Sequence, residues 1–120
     1  MEVYVDGGCK NNPGQMRIAV TVPATGFSVV KELGNGTNNK AEYLSLLYAL
    51  IYVKHLQPKE KVVIKSDSSL VVNQINGHYK VKSNSVKQLY QKAIRLLQQL
   101  PNVKVVYTPR EENLAGRLLE

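Results

Sequence analysis

A chain of 120 residues, 43% hydrophobic, has the length of one domain and can bury a core without cross-links, since a domain of this size removes roughly two-thirds of its unfolded surface from water. The one cysteine, Cys9, excludes an internal disulfide and fits a reducing compartment, and the longest apolar stretch, Leu44–Val53, falls well short of the ~20 residues that a membrane span needs. Sixteen Lys and Arg against nine Asp and Glu leave a net charge of +7, which favours a polyanionic partner.

The elements follow in chain order. Glu2–Asp6 alternates and is short, predicting a strand stopped at Gly7-Gly8. Asn11-Asn12-Pro13-Gly14 carries strong turn chemistry. Arg17–Val22 and Phe27–Leu33, separated by Pro23-Ala24-Thr25-Gly26, predict an antiparallel hairpin that Gly34-Asn35-Gly36 interrupts. Thr37 or Asn38 then caps a helix of about eighteen residues, apolar nearly all round from Tyr43 to Val53 and therefore central and buried. Val62–Ser66 is a continuous apolar run of the kind covered on both faces. Ser68 caps a short helix closed by Gly77. Ser83–Leu100 predicts an amphipathic helix with Val86, Leu89, Ala93, Leu96, Leu97 and Leu100 on one face and Pro101 as its stop. Val103–Tyr107 is the last strand, and a short helix follows Pro109. The order β-β-β-α-β-α-α-β-α predicts an α/β fold, a mixed five-stranded sheet of three antiparallel strands and then parallel ones, flanked by helices.

The basic residues are unevenly placed. No acid occurs between Asp67 and Glu111, while Lys80, Lys82, Lys87, Lys92, Arg95, Lys104 and Arg110 fall in that interval. Such a one-sign stretch suits nucleic acid, with an anionic membrane surface as the rival and a merely solvated basic surface as the plainest reading. Membrane association is not expected, nor is a secretory leader, because the opening residues carry Glu2 and Asp6 and no apolar block. A cytoplasmic monomer is expected.

Three carboxylates stand out. Taken singly, Asp6 is a turn residue before Gly-Gly, Glu42 is a first-turn acid that suits the helix dipole, and Asp67 is a candidate cap. Taken together, Asp6 and Asp67 end strands that are parallel neighbours in this topology, where open α/β sheets place ligands. Glu42 enters from the buried helix that crosses the same sheet. Three acids converging beside a core repel one another unless a cation or a shared proton offsets them. All-oxygen ligation indicates Mg²⁺ or Mn²⁺ rather than zinc, since His55 and His78 have no metal-ligand spacing. A hard-cation site in a basic domain predicts phosphodiester hydrolysis by two metals.

The segments Tyr4–Gly14 (YVDGGCKNNPG), Thr37–Glu42 (TNNKAE), Lys65–Ser68 (KSDS) and Pro109–Asn113 (PREEN) resemble ribonuclease H of type 1, in order and spacing, over nearly the whole chain. The resemblance implies the ribonuclease H fold and metal-dependent hydrolysis of the RNA strand of an RNA–DNA hybrid, with no other cofactor. It assigns metal binding to Asp6, Glu42 and Asp67, with Asp6 bridging both ions. It assigns hybrid contacts to Asn12, Asn38 and Asn39 in the minor groove, where amides meet 2′-hydroxyls, and further contacts to Cys9, Thr37 and Ser69. Cys9 reads equally as a small buried hydrophobe, and Thr37 as the helix cap. Tyr79, Lys80 and Lys82 stand in the short segment that replaces a longer basic protrusion of some relatives, to stack on sugar and grip phosphate or, for Tyr79, to cover the core.

The chain also departs from the pattern. The family's fourth carboxylate follows Ala in the last helix; here the text is Asn113-Leu-Ala-Gly116-Arg117, so Gly116 or Arg117 takes that place and neither ligates a cation. Glu112 and Glu120 do not align with it. The catalytic-loop His of many relatives is absent as well, leaving Arg110 to aid product departure or to act as a surface cation. The resemblance thus implies a site complete for one metal and compromised for the other, with weak Mg²⁺ activity and a preference for Mn²⁺. Its alternatives are a hybrid-binding module without turnover, or a recombination-type phosphoryl-transfer domain.

Overall fold

A computed structural model describes residues 1–120. The strands are β1 (Glu2–Cys9), β2 (Gly14–Val22), β3 (Phe27–Gly36), β4 (Val62–Ser66) and β5 (Val103–Tyr107), ordered β3-β2-β1-β4-β5 in one sheet. β1, β2 and β3 pair antiparallel, and β4 joins β1 and β5 in parallel, which is the mixed sheet expected. The helices are α1 (Asn38–Leu56), α2 (Ser69–Ile75), α3 (Asn84–Gln98) and the one-turn α4 (Leu114–Leu118).

Each strand of the first hairpins runs further than the sequence predicts. β1 continues through Gly7 and Gly8 to Cys9, because these residues pair with Ile18, Arg17 and Met16 of β2. Gly7 is in the strand for want of space: a Cβ there would collide with the backbone carbonyl of Ala41 in α1. β3 likewise runs through Gly34 to Gly36, with a register shift opposite Gln15 and Arg17. Gly34 takes a left-handed φ of 77°, so the glycine forms an irregularity within the strand rather than its end.

Helix starts are those the capping residues predict. Thr37 accepts from the Lys40 N–H at 3.2 Å and Ser68 from the Val71 N–H at 3.3 Å, so the cap of α2 is Ser68 and not Asp67. Ser83 caps α3 rather than opening it, and the helix ends at Gln98, two residues before Leu100. α1 lies across β1 and against α3; its buried residues include Ala41, Tyr43, Leu46, Leu50 and Val53. They join Val3, Val5, Val20, Ile64, Val71 and Val105 in the main core. The opposite sheet face carries α4 alone, seated through Ala115 on Tyr4 and Ala19. After Pro109 the chain makes a 3₁₀ turn, Arg110–Glu112, before α4, so the single final helix of the sequence reading is two short pieces.

Candidate active site

The parallel ladder between β1 and β4 ends at the pair Val5–Ser66. Asp6 follows on β1, which stays in the sheet through β2, and Asp67 follows the end of β4, so the two carboxylates stand side by side where β1–β4 pairing stops. Glu42 comes from α1, which crosses above them. It is the fifth residue of that helix, a turn deeper than the sequence reading placed it, and α1 has no acid in its first turn. The helix dipole therefore does not account for Glu42. Its partner does: the Gly7 N–H donates to Glu42 Oε1 at 2.5 Å, and the missing Cβ of Gly7 is what lets helix and strand close to that distance.

One ligand oxygen from each of Asp6, Glu42 and Asp67 lies within 4.8 Å of the others. All three are nearly closed off from solvent, Asp6 at 4% exposure and Glu42 at 9%, and the Asp67 side chain at 6%. Burial pushes Asp6 up to about 6, with the Asp67 charge adding and Arg110 opposing. Burial also drives Glu42 up to about 9, helped by the charges of Asp6 and Asp67. Oδ2 of Asp67 is buried without any hydrogen-bond partner. The Arg110 guanidinium stands 3.8 Å from it, within ion-pair range but too far to hydrogen-bond. Repelling carboxylates with an unpartnered oxygen fit an oxygen-ligated divalent cation, and the set contains no nitrogen or sulfur that would select zinc.

The carboxylates open into a cleft of about 930 Å³ that Cys9, Asn38, Asn39, Ser68, Arg110 and Arg17 also line. Asn12 ties its turn to the start of α1 by accepting from the Asn38 N–H at 3.1 Å, and Asn38 Oδ1 accepts from the Cys9 N–H at 2.9 Å. The Cys9 thiol points at the same two amide oxygens and is half-buried, so it belongs to the cleft wall rather than to the core. Thr37 serves as the cap, at the edge of this network. Ser69 is exposed at the start of α2, where its carbonyl and hydroxyl accept from the Asn73 side chain. Tyr79, Lys80 and Lys82 are not brought to the cleft; they sit on the α2–α3 connection, and Tyr79 is 52% exposed instead of covering the core.

At the fourth position the two candidates separate. Gly116 is buried, and a Cβ on it would stand 3.5 Å from Oδ2 of Asp6. Arg117 is exposed and turned away, donating to the Glu111 carbonyl. Glu112 and Glu120 are exposed and do not line the cleft.

Three residues at the site carry no signal of it in the reading of the sequence: Gly7 reads as a strand stop, Arg17, which lines the cleft, as an ordinary strand residue, and Asn113 as part of the last loop. Asn113, fully buried, donates through Nδ2 to the Val5 carbonyl at 2.9 Å and accepts from the Ala115 N–H at 3.1 Å, so it pins α4 to β1 next to Asp6. An Asn before a short apolar run is a cap signal, and that signal was available for Asn113.

The fold and the carboxylate cleft define a ribonuclease H-like protein with three clustered acids at the end of its parallel strands. A family described as "Reverse transcriptase-like" matches residues 4–119, and the chain belongs to this ribonuclease H-type family. It is 34% identical over 116 residues to "Bifunctional protein Rv2228c" of Mycobacterium tuberculosis, covering 92% of this chain and 32% of that one. The chain thus spans about a third of the length of the first curated relatives it matches. The N-terminal RNase H domain of Rv2228c superposes with a TM-score of 0.88 at 32% identity, over 98% of this chain and 88% of that one. LC11-RNase H1 in complex with an RNA/DNA hybrid superposes with a TM-score of 0.82 at 28% identity, over 99% of each chain.

Proposed function

We propose that this chain is an endoribonuclease that hydrolyses the RNA strand of RNA–DNA hybrids with Mg²⁺ or Mn²⁺ held by Asp6, Glu42 and Asp67. The observation that carries the reading is the buried triad, with ligand oxygens within 4.8 Å of one another and one orphaned oxygen on Asp67. Its similarity to ribonucleases H, including one solved with a hybrid, supports the substrate. When bound, divalent cations supply Lewis-acid stabilisation of phosphoryl charge and lower the pKa of water.

The chain's own residues do the rest. Asp6 faces both Glu42 and Asp67, so it would hold a cation together with either of them. Burial favours the protonated form of Glu42, so holding a cation there would require the loss of that proton. Asn38 and Asn39 present amides at the cleft wall for 2′-hydroxyls and base edges. Arg110, 78% exposed and anchored only by Asp67, offers a mobile cation to the departing phosphate.

One observation favours a second reading, a hybrid-binding module without turnover. Gly116 faces Asp6 with no side chain, so the protein ligands present favour one ion over the second. Incubating labelled hybrid with Mg²⁺ and with Mn²⁺ separates the two readings. The nuclease reading predicts cleavage confined to the RNA strand and stronger with Mn²⁺. Binding without cleavage above an Asp67→Asn control supports the module instead.

A further inference from the structure

Two cleft cations, Lys10 and Arg17, are explained by neither the triad nor the hybrid-facing amides; Lys10 is exposed, whereas Arg17 is half-buried in the wall. In the β1–β2 register Asp6 pairs with Ala19 and Gly8 with Arg17. Paired and alternate residues share a face, so Arg17 lies on the face of Asp6, one strand over and two residues along, with about 8 Å between Cα atoms from standard strand spacings. Its neighbour on β1, Gly8, has no side chain to fill that space.

Arg17 is half-buried as a residue, yet its guanidinium is nearly unpartnered. Of its five N–H donors one group makes a hydrogen bond, a long one of 3.4 Å to the Leu119 carbonyl. Its cross-strand neighbour is Glu32, but the protein's three ion pairs do not include them. The register shift of β2 against β3 begins beside this pair, between Gln15 and Arg17, and such irregularities re-aim side chains. Arg17 therefore faces the cleft from the wall formed by β2, while Arg110 stands beside Asp67. The carboxylates lie between the two arginines.

We propose that Arg17 binds a backbone phosphate of the nucleic-acid strand that the carboxylates engage, setting its register across the cleft. A planar fork of donors suits a phosphate, and the surrounding carboxylates make an isolated anion a poor occupant but a phosphate on an anchored strand a good one. This inference rests on the hybrid-processing function proposed above. The competing role is mechanical: Arg17 merely clamps the end of α4 through Leu119.

Two substitutions separate these roles. Arg17→Gln removes both the charge and the reach to Leu119, so melting temperature reads the clamp and the salt slope reads the phosphate; Arg17→Lys keeps the charge. Hybrid binding is measured by fluorescence anisotropy across a salt series in EDTA, alongside melting temperature and the KM and kcat of cleavage. Phosphate binding predicts that Arg17→Gln weakens binding about five- to tenfold, flattens the log K against log salt slope by about one, and raises KM more than it lowers kcat. Melting stays at the wild-type temperature, and Arg17→Lys recovers most of the slope. A wild-type salt slope in Arg17→Gln overturns the proposal while leaving the nuclease reading intact. Failure of the wild-type protein itself to bind or cleave the hybrid overturns both.

Discussion

Gly116 points its missing side chain at Asp6. A Cβ there would lie 3.5 Å from Asp6 Oδ2 and 4.0 Å from its Cγ, ordinary contact distances that demand no movement. The position is held from two sides, by Asn113 bonding to β1 and by Ala115 packed on Tyr4 and Ala19. Geometry is thus ready for a fourth carboxylate that the chain does not carry.

Gly116→Asp is therefore expected to raise Mg²⁺-dependent cleavage by about tenfold or more, because an added oxygen ligand strengthens the weaker cation position. Without metal the same change adds a further negative charge beside the buried Asp6, so the melting temperature falls in EDTA and recovers in Mg²⁺. Steady-state rates and paired melts check both halves. A variant that melts alike in EDTA and Mg²⁺ speaks against ligation from position 116.

Asp67→Asn makes the opposite pair of expectations. The amide is nearly isosteric, and Asp67 Oδ2 makes no hydrogen bond that the change would break. Removing the charge that repels Asp6, set against the loss of the Arg110 ion pair, should leave the metal-free protein about as stable as wild type. Metal-dependent cleavage should fall by about a hundredfold or more, since a ligand is lost. Melting curves with EDTA and cleavage assays with Mn²⁺ measure the two. A large loss of stability in EDTA would mean that Asp67 serves the fold, and the cation reading would lose its main support.

The sheet order and the convergence of Asp6, Glu42 and Asp67 were legible because both depend on local pattern. The apolar run Val62–Ser66, the caps Thr37 and Ser68 and the stop at Pro101 are written in neighbouring residues. The carboxylates could be joined because two of them end parallel strands. What the sequence hid depends on approach between distant segments. Gly7-Gly8 reads as a strand end until α1 is seen to press its backbone on Gly7, which makes glycine a packing requirement inside the strand. Glu42 reads as a helix-dipole acid until its bond to the Gly7 N–H is known. Gly116 and Arg117 could not be told apart by spacing alone; only the direction of α4 over Asp6 separates them.

That packing requirement predicts an asymmetry between adjacent glycines. Gly7→Ala drives a methyl into the Ala41 carbonyl and must push α1 off β1, breaking the Glu42 contact. The expected cost is about 3 kcal/mol, the range of a severe core overpacking. At Gly8 a Cβ meets only Asn38 Oδ1, at 3.7 Å, so Gly8→Ala should cost under about 1 kcal/mol. Urea unfolding of both variants tests the pair, and equal losses would contradict the close approach of α1.

The raised carboxylates link metal binding to pH. In the folded, metal-free protein burial holds Asp6 at about 6 and Glu42 at about 9, against ordinary values of 3.8 and 4.5. Above those ordinary values the folded state binds more protons than the unfolded one, so stability falls as pH rises. The contribution is fully present below pH 4 or so and is lost first through 6, then toward 9. Melting temperature in EDTA should therefore decline between pH 5 and pH 9, and saturating Mn²⁺ should flatten the decline. At pH 7 Asp6 has already lost its proton while Glu42 keeps its own. Ligation must expel the Glu42 proton, releasing about one proton per protein molecule. Titration calorimetry with Mn²⁺ in two buffers of different ionisation enthalpy reads this number directly. It should shrink as the pH approaches 10, and a release of zero at pH 7 would mean that Glu42 is already ionised before the ion binds or lies outside the cation site.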